Sequence, residues 1–393
     1  MTAPARPHPT PAPGHGVQPA GPARPPVAVL IGGPSGEHDV SIVSGSAVAE
    51  ALAGAGCRVS VHLIDLDGGW WRLPADHRRD GRSPAAYDDP AALGASGPSG
   101  AAEALAALAA ANPSTVVFIA LHGPFGEDGT VQALVEAAGL AYTGSGVAAS
   151  AIGMDKPRFK RLARGAGLPV LDWLEIPAAR WAADRAAVLA DLDAFARAHG
   201  DGRLMVKPAA LGSSVGITIA HAAGERPAAL DEAARFDARV IVEPYLERPR
   251  ELEVAILGND EDTLRAFGPG EVIPGREFYD YADKYLVDGA RTIATADLPA
   301  GLAAEVRRLA AAAFVLVGGA GFARVDGFLA GDGRLLLSEI NTIPGFTPIS
   351  LFPAMVAAGG IGFADLCLEI VDLAVSARAA RPRRRLTPAD LPR

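Results

Sequence analysis

The chain has 393 residues, a length that suits two or three domains. Apolar residues make up 49% of it, so large cores can form, although much of that share is small alanine. A net charge of −9 argues against nucleic-acid or membrane-surface partners, and no apolar run is as long as a membrane span.

Residues 1–26 are rich in Pro, Ala and Gly and read as a disordered extension. Residues 27–31 read as a buried strand. It runs into Gly32-Gly33-Pro34-Ser35-Gly36 and a helix through Leu52. Strand, glycine turn, helix is how open α/β sheets begin, with ligands beyond the strand ends. The glycines do not match a dinucleotide fingerprint. Glu37 and His38 fall at that turn, where helix capping by Ser35 or Glu37 is the competing role. Residues 58–66 read as a strand, 68–100 as loop with short pieces, 101–111 as a helix and 115–121 as a buried strand. A helix at 131–138 and a strand at 141–143 complete a first domain, 27–150. His122 ends a strand and is a ligand candidate or a polar loop residue. Cys57 and Cys367 sit in apolar patterns, which suits free thiols in a reducing cytoplasm.

The middle of the chain, 151–245, opens on Met154-Asp155-Lys156-Pro157 and a helix through Arg164. Strands follow at 170–176, 204–208, 217–219 and 239–244, with a helix at 180–199. Lys207 ends its strand and Gly212-Ser213-Ser214-Val215-Gly216 follows. Such a loop offers N–H groups and hydroxyls to phosphate oxygens, and the lysine supplies charge. It is not a Walker loop, because the lysine precedes the glycines. The alternative is a plain hairpin with a snorkelling lysine.

The last part, 246–378, begins with an alternating strand at 251–257. The aromatic and charged segment 278–285 has no clean period, as in loops that close over a site. A helix is expected over 302–317. Then Ala323-Arg324-Val325-Asp326 and the run 335–341 flank Ala330-Gly331-Asp332-Gly333, a hairpin signal. The hairpin would set Asp326 beside Glu339 and Asn341, with Arg324 nearby. Two carboxylates and an amide oxygen suit Mg²⁺ carrying nucleotide phosphates; the alternative is a solvated hairpin. A helix at 363–377 and a basic tail, 379–393, end the chain.

These motifs together resemble the ATP-grasp fold, and more narrowly the D-alanine–D-alanine ligase family. The resemblance rests on Gly32-Gly33-Pro34-Ser35-Gly36-Glu37-His38, His122-Gly123-Pro124-Phe125-Gly126-Glu127-Asp128-Gly129, Met154-Asp155-Lys156, Lys207 with 212–216, Phe278-Tyr279-Asp280-Tyr281 with Lys284-Tyr285, and Glu339-Ile340-Asn341-Thr342. It implies a three-domain ligase: an N-terminal α/β domain with an open parallel sheet, then two α+β lobes that hold ATP. It implies Asp326, Glu339 and Asn341 as ligands of two Mg²⁺ ions, with Mn²⁺ a possible substitute. It implies Lys156 and Lys207 on phosphates, Glu243, Leu246 and Glu251 on adenine and ribose, and Lys284 on the transferred phosphate or the second carboxylate. Glu37 and His122 would meet the first D-alanine, and Ser350 and Leu351 the second. Arg324 and the N–H of Gly345 would stabilise the tetrahedral transition state. Ser213 and Tyr285, with Glu37, would lock a loop shut. The implied activity is ATP-dependent formation of D-alanyl-D-alanine for peptidoglycan precursors, in a cytoplasmic homodimer.

Pro34, Pro244 and Tyr245 depart from the family pattern, but none removes a proposed catalytic group. The rival readings are a ligase that joins D-alanine to D-serine or D-lactate, and a non-catalytic nucleotide-binding protein. The segment around Tyr285 resembles the dipeptide-forming type.

Overall fold

The computed structural model describes residues 24–199, 201–275 and 291–381. Tyr285 and Lys284, the segment around them, the extension up to residue 23 and the tail from 382 lie outside the described residues.

Three sheets are present, each built from one part of the chain. In the first, β1 (Val27–Gly32) pairs in parallel with β2 (Val59–Ile64) and β5 (Val116–Ile119), and β5 with β6 (Ala141–Tyr142). Two antiparallel strands, β3 (Trp70–Arg72) and β4 (Ser96–Ser99), extend its edge. The sheet is parallel in its main part, as expected, and its antiparallel edge comes from short pieces within the loop-rich stretch 68–100. Trp70 explains this: it is buried at 2% exposure and pins a short strand that its Gly- and Pro-rich flanks obscure. Helix α1 (His38–Gly54) packs on this sheet.

The second sheet has the order β7 (Leu174–Pro177), β10 (Arg239–Pro244), β8 (Leu204–Pro208), β9 (Thr218–Ala220), all antiparallel. The helix expected at 180–199 is split. Asp184 breaks it and its side chain accepts from the Ala187 N–H at 3.0 Å, capping the segment Arg185–Ala198.

The third sheet has the order β13 (Arg291–Ile293), β12 (Arg265–Ile273), β11 (Arg250–Leu257), β14 (Phe322–Leu329), β15 (Leu335–Asn341). Its period-2 pattern gives it two unlike faces. Leu252, Val254, Ile256, Ala323 and Val325 pack on the helix Ala300–Leu316. The other face is apolar at Leu257 and Phe322 and becomes charged at Glu253, Arg324 and Asp326.

The apolar part of that face joins the first sheet in one core. Phe346 is its hub, with ring centroids 5.6–5.9 Å from Phe118, Phe322, Phe352 and Phe363. Burial of each such ring stabilises by about 2–3 kcal/mol. The helices Leu351–Ala358 and Phe363–Ala380 close this core. The last one runs beyond the expected end. Arg378 donates to the Gly139 carbonyl at 3.0 Å, and Arg381 pairs with Glu136 at 2.6 Å. The start of the expected basic tail thus meets the helix end beside the first sheet while staying exposed. Cys57 and Cys367 are free thiols, and burial pushes Cys367 up to about 12.

A pH prediction follows from His62 in β2. Burial first, and Arg72 second, lower its pKa from 6.5 to about 4. The unfolded chain then takes up a proton that the native state refuses. Stability should be full above pH 6.5 and fall as pH drops towards 4, by about 3 kcal/mol in total. Denaturant midpoints across that window should flatten in His62→Gln; an unchanged slope would refute the assignment.

Candidate active site

The charged face of the third sheet sits at the bottom of a cavity of about 430 Å³. Glu37, His122, Lys156, Ser213, Arg324, Glu339, Asn341, Gly345, Ser350 and Leu351 line it together. Residues from all three sheet regions meet there.

The hairpin forms as its turn chemistry requires. Asp326 lies opposite Glu339 and Arg324 opposite Asn341. A register shift follows between Asp326 and Gly327, whose partners are Glu339 and Leu337. Ser338 is the extra residue of a β-bulge. It lets Leu337 and Ile340 both join the core while Glu339 faces the cleft. This is why the run 335–341 alternates imperfectly.

Arg324 binds Asp326 in a bidentate fork, Nε to Oδ1 at 2.7 Å and Nη2 to Oδ2 at 2.6 Å. It also pairs with Glu253 at 3.0 Å. Burial opposes its charge, but Asp326 and Glu253 outweigh burial and hold it firmly protonated. Glu253 lies opposite Asp326 on β11, so Glu253, Asp326 and Glu339 form a row across three strands.

Lys156 stands at the first position of helix Lys156–Gly165, whose cap is Asp155. Its Nζ is 3.0 Å from Glu339 Oε2 and donates to the Leu211 carbonyl at 2.8 Å. Burial works against its charge, yet Glu339 raises its pKa above the ordinary value. Like carboxylates directly opposed destabilise a ladder, so Asp326 and Glu339 need these cations.

The donor set fits a hard divalent cation. Among the described residues no group of three or more His, Cys, Asp or Glu side chains forms a metal cage. Asp326 and Glu339 supply two carboxylates, and Asn341 now turns its Nδ2 to Asp326 Oδ2 at 2.9 Å. Rotation of that amide would present its oxygen. One or two carboxylates, completed by phosphate oxygens and water, is how Mg²⁺ is commonly held.

Glu37 enters from the start of α1. Its side chain does not cap the helix. It accepts a hydrogen bond from Ser213 Oγ in the loop after β8. Glycines make room for it: a Cβ at Gly123 or Gly212 would lie 2.7 or 3.0 Å from Glu37 Oε2. Ser213 and Ser214 are held at φ +53° and +57°, a left-handed conformation that non-glycine residues seldom adopt. Strain of this kind persists where surrounding contacts impose it.

His122 is buried and uses both ring nitrogens within the protein. Nδ1 donates to the Ile343 carbonyl at 3.0 Å, so Nε2 is the acceptor for Ser44 Oγ at 2.9 Å. Burial lowers its pKa and Glu37 opposes that shift. The imidazole is neutral and ties the first domain to the segment before Gly345. Ser350 Oγ accepts from the Thr347 N–H at 3.1 Å at the start of the helix Leu351–Ala358.

Lys207, Glu243, Leu246, Glu251 and Asp326 are not among the residues that line the cavity. Asp326 joins it through Arg324 and Asn341. Lys207 and Glu243 form a buried ion cluster with Lys160 beside it. Leu246 is half-buried after β10, and Glu251 begins the charged face of β11.

Three further groups have no role in the sequence reading. Glu253 could have been found by alternation from Glu251. Lys160 is one helical turn beyond Lys156. Glu127 lines the cavity and accepts from the Gly123 N–H at 3.0 Å; burial, then the Glu37 charge, push its pKa well above the carboxylate range.

This arrangement of a charged cleft between sheets is that of the ATP-grasp class. The profile of the family described as "D-ala D-ala ligase N-terminus" matches residues 26–145, and that described as "D-ala D-ala ligase C-terminus" matches 162–372. A D-alanine–D-alanine ligase of Chlorobaculum tepidum is 41% identical over 367 residues, covering 90% of this chain and 97% of the relative. One from Heliobacterium modesticaldum is 38% identical, covering 93% and 98%. Among solved structures, the D-alanine–D-alanine ligase of Coxiella burnetii matches with a TM-score of 0.71 at 30% identity, covering 91% of this chain and 96% of that one. A D-Ala:D-Ser ligase of Enterococcus faecalis matches with a TM-score of 0.75 at 28% identity, covering 89% and 99%. The chain belongs to the D-alanine–D-alanine ligase family.

Proposed function

We propose that this protein joins two D-alanines to D-alanyl-D-alanine with ATP, releasing ADP and phosphate, as a step towards peptidoglycan precursors. The observation that carries the reading is the meeting of Glu37, Ser213, Lys156, Arg324 and Glu339 in one cavity.

The chemistry needs two steps. A carboxylate oxygen of the first D-alanine attacks the γ-phosphorus, and ADP leaves. The amine of the second D-alanine then attacks the acyl-phosphate carbon; phosphate leaves and the nitrogen loses a proton. Glu37 holds the ammonium of the first substrate beside His122, and Ser213 fixes the Glu37 carboxylate. Lys156 and Lys207 neutralise phosphate oxygens, which phosphoryl transfer requires. Glu243, Leu246 and Glu251 serve the adenine and ribose. Arg324 and the Gly345 N–H face the oxyanion of the tetrahedral state. Ser350 and Leu351 receive the second carboxylate. Asp326, Glu339 and Asn341 would hold Mg²⁺, or Mn²⁺, which supplies charge neutralisation on the nucleotide phosphates.

A homodimer is expected from family membership, and sedimentation measures it. Dependence on ATP supports a cytoplasmic site of action.

The test is incubation with ATP, Mg²⁺ and D-alanine, followed by chromatography. ADP and dipeptide are expected. Consumption of D-serine or D-lactate as second substrate, with no D-alanine dipeptide, would assign the rival ligase. Nucleotide binding without turnover on any of the three would leave only a binding protein. Glu37→Gln should raise KM for the first D-alanine about 10–100-fold, because a charge-assisted contact is worth about 1.5–3 kcal/mol. Initial rates at saturating ATP measure it; an unchanged KM contradicts the role.

A further inference from the structure

Lys160 belongs to none of the groups that meet in the cavity. It is fully buried, at 0% exposure, on the helix Lys156–Gly165. Its Nζ lies 2.6 Å from Glu243 Oε1, and Lys207 Nζ lies 2.6 Å from Glu243 Oε2. One buried carboxylate therefore holds two lysines, one on each oxygen. The Lys160 contact on Oε1 is as short as the Lys207 contact on Oε2.

The two lysines are placed differently. Ile241, two residues before Glu243 on β10, lies opposite Lys207 on β8, so Lys207 reaches Glu243 diagonally on the same face. Lys207 stands next to last in β8, before the loop that carries Ser213, and its side chain keeps 9% exposure. Lys160 comes from the helix and is shut in. Beyond Glu243 it meets the Leu171 carbonyl at 3.5 Å and the Trp173 ring at 5.9 Å. Burial lowers its pKa, and Glu243 opposes this. Burial would also raise the Glu243 pKa, but Lys160 and Lys207 hold it at about 2. A buried charge is tolerated only when paired.

We propose that Lys160 is the fixed counter-ion of Glu243, and that it frees Lys207 to leave that carboxylate for a phosphate oxygen when nucleotide enters. The proposal rests on the reading of Lys207 as a phosphate ligand. With Lys160 present, departure of Lys207 leaves a neutral buried pair. Without Lys160 it leaves a bare buried carboxylate, so Lys207 stays and the nucleotide must compete with Glu243. Lys160 is thus a positioning residue for the nucleotide site.

The test combines kinetics with calorimetric binding of a non-hydrolysable ATP analogue. Lys160→Met should raise KM for ATP and Kd for the analogue about tenfold, equivalent to about 1.4 kcal/mol, with kcat within about threefold. In the Glu243→Gln background the same substitution should have no further effect, because no carboxylate is left to capture Lys207. An equal rise in both backgrounds, or a fall in kcat alone, overturns the proposal. Should Lys160→Met not fold, the pair Lys160→Met/Glu243→Gln decides: it must fold and match Glu243→Gln in analogue affinity, and a further loss overturns the role. Lys207→Met is the separate control. If it leaves analogue affinity unchanged, the phosphate reading of Lys207 has failed, whatever Lys160 does.

Discussion

Arg324→Met is expected to lower kcat about 10²–10³-fold, the loss typical of one oxyanion donor. The guanidinium lies in the cleft between Asp326 and Glu253, with its fork already set by two hydrogen bonds. A donor held in place needs little reorganisation when charge develops on the substrate. Removing it also takes the guanidinium away from Asp326 and Glu253, so some stability will be lost. Binding of the ATP analogue and the thermal midpoint separate the two effects. The role predicts near-normal analogue affinity in the folded fraction beside that loss of kcat. Arg324→Lys keeps the charge but not the fork, and should recover only part of the rate. A kcat within about threefold of the parent in Arg324→Met would remove Arg324 from the reaction.

Glu339→Gln should raise the Mg²⁺ concentration needed for half-maximal activity by at least about 10–100-fold, the loss already seen when only an outer partner of a metal ligand is removed. Glu339 faces Asp326 across the ladder and holds Lys156 at 3.0 Å. Its amide analogue keeps the shape and loses the charge that a divalent cation needs. The fold should not suffer in proportion, because one of two opposed carboxylates is neutralised. Mg²⁺ titration at saturating ATP, beside thermal unfolding without metal, measures both. An unchanged Mg²⁺ requirement would place the metal elsewhere. Lys156 loses its ion pair in the same variant but keeps its bond to the Leu211 carbonyl, so ATP affinity at saturating Mg²⁺ should not fall.

Residues near one another in sequence carried most of what could be read in advance. The turn at Ala330–Gly333 and the alternation around Arg324 and Asp326 predict a hairpin, and the pairing of Asp326 with Glu339 follows from it. Lys156 at a helix start and Lys207 at a strand end were legible for the same reason. Local chemistry also misled. The stretch 68–100 looks like loop because Gly and Pro dominate it, whereas Trp70 needs burial and makes a strand there. The helix at Phe363–Ala380 outlasts its expected end because Arg378 and Arg381 find partners in the first domain.

By itself the sequence marked candidate phosphate and metal groups through residue type and spacing along single elements, and the family resemblance added a candidate for the amine. Only the tertiary structure decided which groups meet. Glu37 and Ser213 are 176 residues apart, and their contact depends on the loop after β8 reaching the turn before α1. Lys160 and Glu243 come from a helix and a strand whose approach no period reveals. Burial then sets the charges: a carboxylate between two lysines is held ionised, while Glu127, buried near another carboxylate, is pushed towards its neutral form. Desolvation and long-range charge are properties of the packed chain, and they are what turn a list of polar residues into a site.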